Sequence, residues 1–108
     1  MAARVADLVS LQSEDKDKSW QERKQHTIDA LVKCNDKDIM MLCLADKLAN
    51  LRSIAREYQM FGDEVWNRFS AGKEKRAWYY RGLRDSLSVL GGHIFYEEFS
   101  SLVSQVFN

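Results

Sequence analysis

Apolar residues recur at intervals of three and four along most of the chain, and no stretch alternates apolar with polar for the length of a strand. The pattern predicts helices throughout. Val5, Leu8, Val9 and Gln12 stand at helical spacing and predict a short helix over 2–12. The polar segment SEDKDKS (13–19) reads as a loop. Ser19 and Glu22 have capping-box spacing, which opens a helix carrying Trp20, His26, Ile28, Leu31 and Val32. CNDKD (34–38) breaks that helix, and Asn35 or Asp36 caps a long central helix over 37–60. Gly62 ends it, and DEVWNRF (63–69) gives one or two turns with Val65, Trp66 and Phe69 inward. SAGK (70–73) is a second loop. A helix over 73–90 carries Trp78, Tyr79, Leu83, Leu87 and Leu90 and stops at Gly91 and Gly92 before His93. A last helix over 94–107 presents Phe95, Phe99, Leu102, Val103 and Val106. The expected fold is all-α, a single domain over 1–108 with about five helices around the central one.

The central helix is the unusual element. One stripe, Met40, Leu44, Leu48, Leu51, Ala55 and Tyr58, makes a core face. The other runs Ile39, Leu42, Cys43, Asp46, Asn50 and Ser53. A helix apolar on both sides is normally buried on both sides, so the spacing predicts a polar strip facing inward at Asp46. A carboxylate, an amide and a hydroxyl at i, i+4 and i+7 share one ridge. Burying an unpaired carboxylate costs several kcal/mol or more, so Asp46 needs a partner or a purpose. Two readings stand. The strip is a site, with the carboxylate on a cation and the amide and hydroxyl on a phosphate or sugar, or Asp46 is a structural carboxylate paired with an arginine or a helix end.

Composition narrows the classes. Sixteen basic residues balance sixteen acidic ones, which removes the net field that recruits nucleic acid or anionic lipid. No apolar run reaches membrane-spanning length, and the first residues lack a signal peptide's design. Cys34 and Cys43 have neither CxxC nor finger spacing. Free thiols in a reducing cytoplasm are expected.

The segment LADKLANLRSI (44–54) resembles the late signature of the HD-domain phosphohydrolases, and within them the guanosine-polyphosphate hydrolase branch that includes RelA/SpoT-type proteins. VADLVSLQSEDK (5–16), SWQERKQHTIDAL (19–31) and WNRFSAGKEKRAWYYRGL (66–83) follow that branch's order and spacing, so the resemblance covers about residues 5–90. It implies that Asp46 is the last metal ligand, that Asn50 and Ser53 line the nucleotide pocket, and that Arg23 and Lys24 approach phosphates. The metal implied is divalent, usually manganese, and the substrate implied is a guanosine polyphosphate such as ppGpp, hydrolysed at its 3′-pyrophosphate.

The sequence also departs from that pattern. The family's earlier ligands are a lone His and an adjacent His-Asp pair, with a Glu-Asp pair shortly after. Here the two histidines, His26 and His93, are followed by Thr27 and Ile94. The chain thus resembles the C-terminal half of the domain, with no residue assigned a catalytic role. Alone it is expected to hydrolyse nothing and to bind metal weakly, since a catalytic ion needs three or four protein ligands. The alternative is a non-enzymatic helical interaction module derived from an HD domain. Under either reading, the stripe at Asp46 lacks its covering helices, which predicts a homodimer or higher oligomer.

Other candidates have plainer readings. GKEKRAWYYRGLRDS (72–86) interleaves cations with aromatics that could stack a base, but it reads first as an amphipathic helix. His26 reads as a packed or capped imidazole, His93 as a turn residue, and Cys43 as a core filler.

Overall fold

The helices start where the sequence supplies a side-chain acceptor. In the computed structural model, which describes residues 18–68 and 72–107, α1 spans Trp20–Lys33, α2 Lys37–Phe61, α3 Gly72–Ser86 and α4 Ile94–Phe107. Ser19 Oγ accepts the Glu22 N–H at 3.1 Å and opens α1. Asp36 Oδ1 accepts from the N–H groups of Asp38 and Ile39 at 3.0 and 3.4 Å and opens α2. At the head of α4, His93 Nδ1 accepts the Phe95 N–H at 3.1 Å, so this histidine is a cap. Glu97 reaches back to the Gly92 N–H, also at 3.1 Å. Gly62, at φ 63°, ends α2 in a conformation that side chains with a Cβ rarely adopt. The expected helix 2–12, the loop residues 13–17 and 70–71, and Phe69 lie outside the described residues.

The fold is all-α, with the central helix where the periodicity places it. α2 packs against α4 and against the 3₁₀ segment Gly62–Arg68, α1 packs on α3, and α3 packs on α4. Leu44, Leu48 and Leu51 of α2 meet Phe99 and Val103 of α4 in one core. Val65 and Trp66 point inward as expected. Rings fill the junction of α3 with α4: Tyr80 stacks on Phe107 at 5.5 Å, and Trp66 lies 5.4 Å from the same ring. No described helix is long and apolar enough to cross a membrane.

Three expectations are corrected. The helix over 73–90 stops at Ser86, and a short 3₁₀ turn carries Ser88–Leu90. Tyr96 Oη donates to the Arg84 carbonyl at 2.8 Å, so a side chain of the next helix occupies an acceptor that a longer helix would have offered to Ser88. His26 is exposed, because α1 buries the opposite side, Thr27 and Leu31, against its neighbours. Third, the stripe through Asp46 is split. Ile39 and Cys43 are 2% exposed, whereas Leu42, Asp46, Asn50 and Ser53 face water. The inward strip is an outward one.

Candidate functional site

The split of that stripe follows from what packs on α2. Its deep face is centred on Met40, Leu44, Leu48 and Leu51, and the sector extends far enough round to cover Ile39 and Cys43 near the α1–α2 connection. One turn further on, the same ridge emerges from the core. From Asp46 to Ser53 it is bordered by Ala45 and Ala49, also exposed. Two small residues leave the carboxylate, amide and hydroxyl standing clear of the helix surface.

Each member of the strip can be placed. The Asp46 side chain is 52% exposed, and its Oδ2 lies 3.5 Å from Lys47 Nζ. The arginine or helix end that a buried Asp46 would have needed is therefore replaced by water and a neighbouring ammonium. Ser53 Oγ donates to the Ala49 carbonyl at 3.3 Å, which leaves its lone pairs directed outward. Asn50 stands between them, exposed. Beside Ser53 on the helix, Arg52 forks onto Glu98 of α4, with Nε and Nη2 each 2.6 Å from a carboxylate oxygen. That pair fixes α4 against the far end of the strip and holds the Glu98 carboxyl below its ordinary range.

At the Asp46 end the strip meets a cluster of cations and rings. Lys47 Nζ is 6.0 Å from the centre of the Tyr79 ring. Lys24 Nζ, from α1, lies 5.1 Å from the same ring and 5.9 Å from Trp20. Arg76, from α3, brings its guanidinium to 5.8 Å from Trp20. Trp20 and Tyr79 are in edge contact at 6.1 Å, and Trp78 lies 6.4 Å from Trp20. Of the five residues expected at the site, Asp46, Asn50 and Ser53 therefore share a ridge, and Lys24 joins them through Tyr79 and Lys47. Arg23 is half-buried on α1, and its carbonyl accepts from Thr27 Oγ1 at 3.4 Å.

Sequence reading missed Lys47 and underrated Arg76. The signal for Lys47 was its position: one residue after Asp46 is about 100° round the helix, on the side that α1 and α3 approach. In 72–86 the amphipathic reading holds for Ala77, Tyr79, Tyr80 and Leu83, which are buried. It overlooks that a buried tyrosine face can also gather cations.

Two side chains buried near the strip, Cys43 and Tyr80, keep their protons. Burial pushes the Cys43 thiol up to about 11 and the Tyr80 hydroxyl up to about 12, so both stay protonated at neutral pH. Cys43 is a core residue, and both cysteines are free thiols. Among the described residues, no three His, Cys, Asp or Glu side chains gather where they could hold a metal ion. Asp46 offers one carboxylate, already beside an ammonium.

No family model matches the chain, and no curated protein matches it. Among solved structures, the crystal structure of lmo0812 from Listeria monocytogenes EGD-e is similar, with a TM-score of 0.84 and 34% sequence identity. The match covers 95% of this chain and 69% of the Listeria chain. An identity of that size along nearly the whole length, with the same fold, makes this chain a member of the family to which Listeria lmo0812 belongs.

Proposed function

We propose that the strip on α2 is the nucleotide-binding side of an HD-type phosphohydrolase centre, and that the chain binds a guanosine polyphosphate such as ppGpp without hydrolysing it alone. One observation carries this reading. Asp46, Asn50 and Ser53, the positions that the resemblance assigns to metal and nucleotide, are exposed on a single ridge, with Lys24 and Lys47 gathered at one end.

The described residues do not fit a resident manganese ion. A lone carboxylate with an ammonium 3.5 Å away is a poor cation ligand, and His26 and His93 are exposed on separate segments. Hydrolysis therefore requires ligands from outside the described residues. That same donor set favours a second reading, a helical interaction module that keeps the fold and not the chemistry. A nucleotide ligand of this class belongs to the cytoplasm, the compartment to which we assign the chain.

Calorimetric titration with ppGpp, and chromatography of the mixture after incubation with manganese, test the proposal. Binding at micromolar concentration with the nucleotide recovered intact is the expected result. Release of pyrophosphate by the chain alone would refute the inactive assignment. Failure to bind at millimolar concentration would leave the interaction module.

A further inference from the structure

The segment GGHIF (91–95) leads into α4, and two side-chain acceptors hold the turn, one of them a histidine. His93 Nδ1 accepts the Phe95 N–H at 3.1 Å, and Glu97 Oε2 accepts the Gly92 N–H at the same distance. A backbone amide can only donate, so Nδ1 presents its lone pair and the ring proton sits on Nε2. A protonated imidazole carries hydrogen on both nitrogens and has no acceptor left. We infer that His93 is a pH-sensitive cap: taking up a proton releases the Phe95 amide, turns the imidazolium to the Glu97 carboxylate and loosens the first turn of α4. The inference is independent of what the strip on α2 binds.

The charges around this turn make Glu97 the group that meets the new positive charge. Arg84 and Asp85, at the end of α3, both act on the Tyr96 hydroxyl and lie 3.7 Å from one another. Arg52 of α2 is engaged by Glu98 of α4. Each of those cations has a carboxylate beside it, whereas the Glu97 carboxylate lies on the backbone N–H of Gly92. His93 and Glu97 stand four residues apart, a spacing at which side chains on a helix meet. The backbone already joins them, since the Glu97 N–H donates to the His93 carbonyl at 3.0 Å. An ion pair between them takes Glu97 away from the Gly92 N–H, so one proton undoes both caps. The positive end of the helix dipole also disfavours an imidazolium in the capping position. Both cap bonds are exposed, which gives the proton direct access. The cap is therefore present above the range in which histidine ordinarily titrates, and is lost as the pH falls through it. That first turn carries Tyr96, whose hydroxyl holds the Arg84 carbonyl at 2.8 Å, so the change reaches the contact between α3 and α4.

The test records amide and imidazole NMR spectra of the full chain between about pH 5.5 and 8, a window above the ordinary carboxylate range. At the alkaline end, the His93 ring should be the tautomer protonated on Nε2. As the pH falls, the Phe95 and Gly92 amide signals should shift together, with the midpoint of the His93 ring itself. The Phe95 amide, corrected for its intrinsic rate, should exchange with solvent about fivefold faster in the acid form, the scale of one helix cap. His93→Asn supplies an acceptor that does not titrate, so Phe95 should stay protected and both signals should stop moving. Glu97→Gln should keep the Phe95 response and abolish that of Gly92. His26→Gln, at an exposed position of α1, should change neither. A proton on Nδ1 at the alkaline end would overturn the inference. So would a Phe95 amide that ignores the titration of the ring, or a response that survives in the His93→Asn chain.

Discussion

Gly82 of α3 lies close against Ile28 of α1, and enlarging it gives a prediction whose size can be worked out. A Cβ built there would lie 2.6 Å from Ile28 Cδ1 and 3.4 Å from Ile28 Cγ1. The first contact is too short, so something must shift, and the atom concerned is the mobile end of a half-buried side chain. Two effects of similar size then oppose one another. Alanine in place of a mid-helix glycine gains about 1 kcal/mol of helix propensity. Driving Ile28 off its rotamer costs about 0.5–1.5 kcal/mol. Gly82→Ala should therefore be nearly neutral, within about 0.5 kcal/mol. Ile28→Val removes the Cδ1 methyl and should cost about 0.5–1 kcal/mol on its own. With that methyl gone, Gly82→Ala keeps its propensity gain and should stabilise by about 1 kcal/mol. The coupling in this double-mutant cycle is thus about 1 kcal/mol and comes from one methyl contact. Urea unfolding followed by tryptophan fluorescence measures all four corners. A full 1 kcal/mol gain from Gly82→Ala in the unaltered background would mean that the helices are not in contact there. A loss above about 2 kcal/mol would mean that backbone, and not a side-chain tip, sets the spacing.

Asp46→Asn should leave stability within about 0.5 kcal/mol, since an exposed carboxylate beside a lysine contributes little, and denaturant unfolding that shows a loss of several kcal/mol would reveal a buried partner. Glu98 titrates below its ordinary 4.5 because Arg52 holds its charged form, so the pair's contribution is present above that pH and is lost as the pH falls through the lower, folded value. Arg52→Ala should consequently flatten the acid limb of a stability-versus-pH curve, and an unchanged limb would show that the fork does not persist in solution. With Leu42, Met60, Val89 and Ile94 each more than half exposed, we propose a dimer or higher oligomer at micromolar concentration. Light scattering coupled to size exclusion would refute it by returning a monomer mass.

The pattern of apolar positions made α1, α2 and α4 legible to within a residue or so, because each begins at a side-chain acceptor that local sequence supplies. Ser19 and Asp36 are visible as caps without any knowledge of tertiary structure. The end of α3 was not legible, since the group that intervenes at Arg84 is Tyr96, twelve residues on. Periodicity gives the angle of a residue around its helix but not which angles a neighbour covers. Asp46 and Cys43 lie about 60° apart by that measure, yet only Cys43 is under another element. The rings and cations around Tyr79 come from three helices, and no spacing within one helix could bring them together on paper.

The hydroxyl of Tyr96 and the guanidinium of Arg81 have a joint consequence for how the molecule opens. Tyr96, in the first turn of α4, holds the Arg84 carbonyl at 2.8 Å, while Arg81 Nη2 donates to the Phe107 carbonyl in the last turn at 2.7 Å. Both ends of α4 are thus tied to a single turn of α3. Neither helix can fray from its C-terminal end without releasing a bond that the other provides, so their last amides should exchange with solvent as one cooperative unit. α1 has no such tie to α4 among the described hydrogen bonds. It meets α3 instead through Trp20 on Tyr79 and through Ile28 beside Gly82.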